Sequence, residues 1–431
     1  MSSPLSAPRI LLLADHRFRD TPVLSAIKVE LERLVPALDV RIISFDLWQL
    51  AVELFKPHIV VLNHLHGKRN KMIAEIVKRH DGKVVILPTE GRPNTYDQMV
   101  WAANEWPHQL CDLYFCWSSV MANMISGVPT EIVGCSRFDF YRPSLRSLIS
   151  SREDMLGRYD FDPDLPVVTV ASSFPQSKFH KQQRDFNDQD WKDLKVTTIP
   201  GRENPALFAE QEYESLESFR LMIRTISPHY QVVVKPHPAE DIIEWKKTAD
   251  ESGFRVMESD YIWNLLAMSD LHIARSACMT LCEAWMMNVP TIGIPLGDEC
   301  VKPGAANEAI DLTPIAIEPS HLADMVEDYL VDESVVDETD FEERRYRYIK
   351  TWIMPESNGG SCSLVATKLL ELLGSSPPDD IFSIGDDVNL SQLVLNHSKN
   401  YSKPGFDHVG QYNKTVTQQV VNEWVSRIGS L

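Results

Sequence analysis

Short apolar runs bounded by turn residues alternate along the chain with stretches in which apolar positions recur at helical spacing. That alternation predicts parallel strands joined by helical crossovers. A strand buried on both faces reads as a continuous apolar run, and its parallel partner needs a crossover to return the chain. In the first part the runs are residues 10–14, 40–44, 59–63, 84–88, 113–116 and 131–133, with amphipathic helices predicted over 23–34 and 71–79. A second series, 167–171, 231–234, 255–257, 271–274 and 291–294, follows a polar stretch at 150–166, with helices predicted over 216–226, 241–252, 279–287 and 322–330. The expected fold class is α/β, with two Rossmann-like units in tandem.

Residues 172–205 interrupt the second series; rich in Lys, Gln, Asp and Phe without a period, they read as a long loop or insertion over a cleft, a candidate lid. The acidic stretch 327–343 reads as a solvated helical face and connection. A helix predicted over 364–373 closes the core, and the polar tail beyond Ser375 ends in a short amphipathic piece at 416–428. The expected domains are 1–150 on the acceptor side, 151–375 on the nucleotide side, and a C-terminal extension over 376–431.

Composition narrows the function classes. The 431 residues are 44% hydrophobic, with 42 Lys+Arg against 61 Asp+Glu and a net charge of -19, a globular and acidic chain. Such a surface opposes non-specific attraction to nucleic acid or anionic lipid, so any anion site must be built locally from a few cations. The seven cysteines show no CxxC pair and predict reduced, structural thiols and a cytoplasmic chain, in which the sequons at Asn389, Asn396, Asn400 and Asn413 are idle. The run at 10–14 is too short for a signal peptide, and no stretch approaches about 18 apolar residues, so membrane association is expected to be peripheral, at the inner face of the cytoplasmic membrane.

The most informative segment is Val232-Val-Val-Lys235-Pro236-His237-Pro238, where a predicted strand ends in a cation, a rigid turn and an imidazole. Ligands bind at the carboxyl edge of open parallel sheets; two prolines fix the direction of His237, and Lys235 offers a point charge to phosphate. A purely structural Pro turn is the alternative. Further on, Arg275-Ser276-Ala-Cys-Met-Thr280-Leu-Cys-Glu283 passes from strand into helix, and its first N–H groups would face an anion. Ser276 and Thr280 could instead be a helix cap and a satisfied core hydroxyl, and Glu283 either a ribose partner or half of a buried ion pair.

In the first unit, Pro88-Thr89-Glu90-Gly91-Arg92 again puts polar groups after an apolar strand, and Glu90 is a candidate general base or a capping carboxylate. Asp15-His16-Arg17-Phe-Arg19-Asp20 follows the first strand as acceptor contacts or as a cap with surface charges. His64 and His66 lack a third ligand at recognisable spacing, so no metal site is expected. Arg137 and Asp139 are expected to pair. Gly-Lys-Ser/Thr phosphate loops, GxGxxG and HExxH do not occur, which disfavours a simple kinase, dehydrogenase or zinc protease.

Taken together, Leu87-Pro88-Thr89-Glu90-Gly91, Lys235-Pro236-His237-Pro238, and Ser276 followed by Glu283-Ala284 and Val289-Pro290 resemble the bacterial surface carbohydrate biosynthesis proteins. These are GT-B glycosyltransferases related to Kdo transferases and sialyltransferases of capsule and lipopolysaccharide assembly. The resemblance runs from about Pro8 to Leu373 and is more specific for the superfamily than for the sugar. It implies two Rossmann-like domains facing across a cleft. It also implies transfer of a sugar, a Kdo-like 2-keto acid sugar, from a CMP-activated donor to a surface polysaccharide or lipopolysaccharide acceptor.

By the same resemblance Glu90 is the catalytic acid/base, and Lys235, His237, Ser276 and Glu283 hold the nucleotide-sugar. The residues themselves add Thr280 to that binding set, His237 to the catalytic candidates, and Arg17, Arg19 and Arg92 as contacts for an anionic acceptor or the donor carboxylate. Thr89 stands where a second acidic residue often does, and Ala277 where a second hydroxyl often follows, which weakens the case for sialic acid. No cofactor and no obligatory metal are expected, since cations and N–H donors can stabilise a single departing phosphate. The alternatives are a CDP-glycerol-type glycerophosphotransferase and a non-catalytic nucleotide-sugar-binding scaffold.

Overall fold

A computed structural model of the chain describes residues 7–64, 68–89, 110–175, 177, 180, 205–226, 228–237, 240–276, 278–295, 311–331, 339–354, 360–374 and 416–431. Each run predicted as a strand is one, with ends moved by a residue or two. The chain divides into two compact units. One takes the described residues up to Leu148 and from Ile349 onward, the other those from Ile149 to Tyr348. Residues 349–374, grouped above with the second domain, thus cluster with the first.

In the first unit β1 (Arg9–Ala14), β2 (Asp39–Ser44), β3 (Ile59–Leu62), β4 (Lys83–Ile86), β5 (Leu113–Cys116) and β6 (Thr130–Ile132) form a six-stranded sheet in the order β2-β1-β3-β4-β5-β6. All pairs are parallel, with Ile10 beside Ile59 and Val60 beside Val84. β1, β3 and β5 are buried at every position, which is why they read as unbroken apolar runs.

The chain's last helices complete this unit. Asp139 caps Ser361–Gly374 from a distant segment, its carboxylate accepting from Ser361 N at 2.9 Å and Cys362 N at 2.6 Å. The cation beside Asp139 is Arg142, at 3.4 Å, and not the expected Arg137. Gly360, at φ +82°, takes a backbone conformation that favours glycine, and a Cβ there would also lie 3.1 Å from Asp139 Oδ2. Helix Gln418–Gly429 buries Val420, Val421, Trp424 and Ile428, with Trp424 edge-on to Phe140 at 5.6 Å. The amphipathic tail therefore packs on the body.

In the second unit β7 (Val167–Ala171), β8 (Gln231–Lys235), β9 (Arg255–Val256), β10 (Leu271–Arg275) and β11 (Thr291–Ile294) form a parallel sheet in the order β11-β10-β7-β8-β9. Strand periodicity splits its side chains between two cores. Val232 and Val234 pack with Phe219, Ile223 and Trp245 on one face, and Val233 packs with Met155, Leu265 and Ala284 on the other. Helices thus cover both faces.

Among the described residues six α-helices escaped the periodicity reading: Trp48–Phe55, Ser119–Met124, Pro143–Arg146, Arg152–Tyr159, Ile262–Ala267 and Thr339–Tyr348. Arg152–Tyr159 sits inside the stretch read as a polar connection because it buries only Met155 and Leu156, too few to show a stripe. The proposed lid at 172–205 lies largely outside the described residues. The described cysteines are free and buried thiols.

Candidate functional site

Strand order locates the crevice of the second unit. The chain leaves β7 for β8 and β9 on one side, then crosses to β10 and β11 on the other, so the sheet's switch point lies between β7 and β10. Crossovers that depart to opposite faces leave a crevice outside the carboxyl ends there. In register, Lys235 lies beside Ala171, Ala171 beside Ala274, and Arg275 beside Ile294. Lys235, His237 and Ser276, which lie far apart in sequence, therefore end at one edge of one sheet.

Ser276 is fully buried; its N–H donates to the Ile294 carbonyl at 2.9 Å, and among the described residues its hydroxyl has no hydrogen-bond partner. A buried hydroxyl left unpaired costs about 1–3 kcal/mol, a deficit that a ligand oxygen would remove. Gly293 of β11 lets the strand pass this hydroxyl, because a Cβ there would lie 3.3 Å from Ser276 Oγ and 2.9 Å from Ile315 Cδ1. Helix Met279–Met286 follows with no side-chain cap at its start.

Thr280 and Glu283 are placed differently. Thr280 Oγ1 lies 3.1 Å from Nε2 of His272, a wholly buried residue of β10 whose Nδ1 lies 2.8 Å from Thr169 Oγ1. Burial pushes the His272 pKa down to about 3, so the ring is neutral and needs one donor and one acceptor, which the two threonine hydroxyls supply. The Thr280 hydroxyl is thus engaged inside the unit, the commoner duty of such a residue. Glu283 is 1% exposed and packed into its helix.

Two buried acidic residues at this edge were not singled out from the sequence. Glu240 accepts from Ser172 Oγ, Phe174 N and Trp245 Nε1, each at 2.7 Å, and Ser172 Oγ in turn accepts from His237 N at 3.3 Å. Burial raises the Glu240 pKa above the ordinary range, although these donors and the charge of Arg220 oppose the shift. Glu212 accepts at 2.6 Å from Arg275, which also donates to the Ser173 carbonyl at 2.9 Å and lies over the Phe174 ring. A sequence signal existed in Ala171-Ser172-Ser173, polar residues straight after a strand, but the central place of that strand was not readable.

In the first unit Asp20 dominates the carboxyl edge. It is 1% exposed and accepts from Asp15 N at 2.9 Å, His16 N at 2.8 Å, Arg19 Nε at 2.7 Å and Thr89 Oγ1 at 2.6 Å. Burial alone would raise its pKa, but the Arg19 charge, hydrogen bonds from Arg19 and Thr89, and the His16 charge outweigh it and hold the pKa below the ordinary value. Arg19 also lies 3.5 Å from Asp15, and Arg17 stacks over Phe18 at 5.4 Å, so both arginines are engaged locally. Glu90 and Arg92 lie outside the described residues. Among the described residues no group of three or more His, Cys, Asp or Glu side chains gathers as a metal site would.

No protein-family profile matches the chain. No curated protein sequence matches it either. Solved structures do. A variant of the wall teichoic acid polymerase TagF matches at a TM-score of 0.53 and 10% identity, over 86% of this chain and 90% of that one. The same polymerase soaked with CDPG gives 0.51 and 9%, over 86% and 90%. The fold is GT-B. S. aureus MnaA with UDP matches at 0.48 and 10%, over 87% of this chain and all 100% of that one. At such identities the GT-B likeness carries architecture alone. Among the described residues no helix is long and apolar enough to cross a membrane.

Proposed function

We propose that this chain is a glycosyltransferase that moves a sugar, a Kdo-like 2-keto acid sugar, from a CMP-activated donor to a surface polysaccharide or lipopolysaccharide acceptor. The observation that carries the reading is the gathering of Lys235, His237 and the unpaired Ser276 hydroxyl at the carboxyl edge of β8 and β10, on either side of β7. A lysine charge, an imidazole and a hydroxyl suit the single phosphate of CMP.

In the proposed step the anomeric C–O bond to phosphate breaks and CMP departs, stabilised by Lys235 and His237. An acceptor oxygen forms the new bond, and Glu90 takes its proton as general base. Ser276 binds the phosphate; Thr280 and Glu283 support the helix start behind it. Arg17, Arg19 and Arg92 are the proposed partners of an acidic acceptor or of the donor carboxylate. The step asks for no obligatory metal, and the proposed setting is the cytoplasmic face of the membrane, held peripherally.

The likeness to TagF, including its CDPG-soaked form, favours one second reading, transfer of glycerol phosphate from CDP-glycerol. Two measurements separate the cases. In a thermal-shift panel of CMP, CDP, UDP, GDP and ADP, a ligand that binds only the native state raises the melting temperature; a response selective for CMP supports the sugar reading, and no response to any cytidine nucleotide sinks both. The product's mass then decides the reaction, because a phosphate retained in the new linkage rules out sugar transfer.

A further inference from the structure

We infer that Glu240 is a positioning residue: through Ser172 it sets the backbone of His237, and through Phe174 it sets the chain leaving β7, so that both sides of the β7–β8 edge hold one geometry toward the donor phosphate. The inference rests on the proposed nucleotide site and deepens it.

The geometry is a relay centred on one carboxylate. The Ser172 hydroxyl can donate only one proton, and the Glu240 carboxylate takes it at 2.7 Å. That fixes the hydroxyl's orientation and turns its lone pair toward the His237 N–H, 3.3 Å away. The other carboxylate oxygen holds Phe174 N at 2.7 Å, and Glu240 N donates back to the His237 carbonyl at 2.9 Å. His237 is therefore gripped through its N–H and its carbonyl by groups that both lead to residue 240. Trp245 Nε1 supplies a further donor at 2.7 Å and anchors the carboxylate to helix Ile242–Ser252.

Glu240 joins the exit of β7, the exit of β8 and the following helix, and its polar contacts lie where the candidate ligand groups begin. Sites of this kind lose affinity when the supporting groups loosen, because the ligand must then order them on binding.

The test is calorimetric titration of CMP into the wild type, Glu240→Gln, Ser172→Ala, the double variant, and Arg152→Ala. Arg152 pairs with Asp270 at 2.8 Å and donates to the Met268 carbonyl near the opposite edge of the same sheet, so its loss lowers stability without touching the relay. We expect about tenfold weaker CMP binding for Glu240→Gln and for Ser172→Ala, the size of one lost charge-assisted hydrogen bond. The double variant should bind no more than about twice as weakly as the worse single variant. Arg152→Ala should melt lower but bind within about twofold of wild type. If Glu240→Gln does not fold, Ser172→Ala carries the test by itself. Single variants that bind CMP like wild type, or effects that multiply in the double variant, overturn the inference. A wild type that binds no cytidine nucleotide overturns the nucleotide reading instead and takes the inference with it.

Discussion

Asp20 and Glu240 do the same job in different sheets by different means. Each is a buried carboxylate at the carboxyl edge of a parallel sheet; Asp20 takes two backbone N–H groups from the chain leaving β1 and one hydroxyl from the exit of β4, and Glu240 takes one backbone N–H and one hydroxyl, both from the exit of β7. Asp20 also holds a guanidinium at 2.7 Å, and its pKa falls; among the described residues Glu240 holds neutral donors directly, and burial lifts its pKa. An ion-paired carboxylate is a fixed anchor. One satisfied by neutral groups stands closer to losing its charge, and its geometry depends more on each donor.

The strongest way to break the comparison is Asp20→Ala, which strands a partly buried arginine and several N–H donors. A loss of about 3–5 kcal/mol is expected by urea unfolding at neutral pH. A loss under about 1 kcal/mol would mean that the pair contributes no anchoring.

His272 extends the contrast within the second unit, since its partners are also neutral hydroxyls. Its folded pKa of about 3 lies below the ordinary unfolded value, so its stabilising effect is complete above the unfolded pKa and is lost as pH falls toward 3. His272→Gln should therefore flatten the acid arm of the stability profile by up to about 1.4 kcal/mol per pH unit within that window. An unchanged slope would place a protonated imidazole in the sheet.

Glu240→Gln keeps the shape and one acceptor, and its cost is expected near 1–2 kcal/mol. The two carboxylates should also differ in sign with pH. Asp20 contributes stability above its unfolded pKa that disappears as pH falls through its lowered folded value. Glu240 contributes stability that is complete below its unfolded pKa and disappears as pH rises through its raised folded value. Urea titrations of Asp20→Asn and Glu240→Gln across the acid range separate the two. The smallest expected effect is Thr89→Ala, about 0.5–1.5 kcal/mol, because Arg19 still holds Asp20 after the hydroxyl is gone.

Most of the sheet architecture was legible because buried parallel strands write themselves as apolar runs; β5 and β7 were found end to end. Strand order was not legible, and with it the switch point beside β7, so Ser172 passed as the start of a loop. Glu240 stands before Asp241, which is the true N-cap and accepts from Ile243 N at 3.0 Å, so the pair reads as redundant capping. Its partners Ser172 and Trp245 become visible only when folded. Likewise the return of helix Ser361–Gly374 to the first unit depends on Asp139, more than two hundred residues earlier. Lys235, His237 and Ser276 could be chosen from sequence because each sits where a strand ends. The contact of Thr280 with His272 was not legible, because His272 looks like an ordinary strand residue.

The central claim is that the edge formed by β7, β8 and β10 takes a cytidine nucleotide. A crystal of the full chain soaked with CMP tests it directly. The account predicts density for the phosphate within hydrogen-bonding distance of Lys235, His237 and the Ser276 hydroxyl. Nucleotide density away from all three, with that edge empty at saturating CMP, would contradict it.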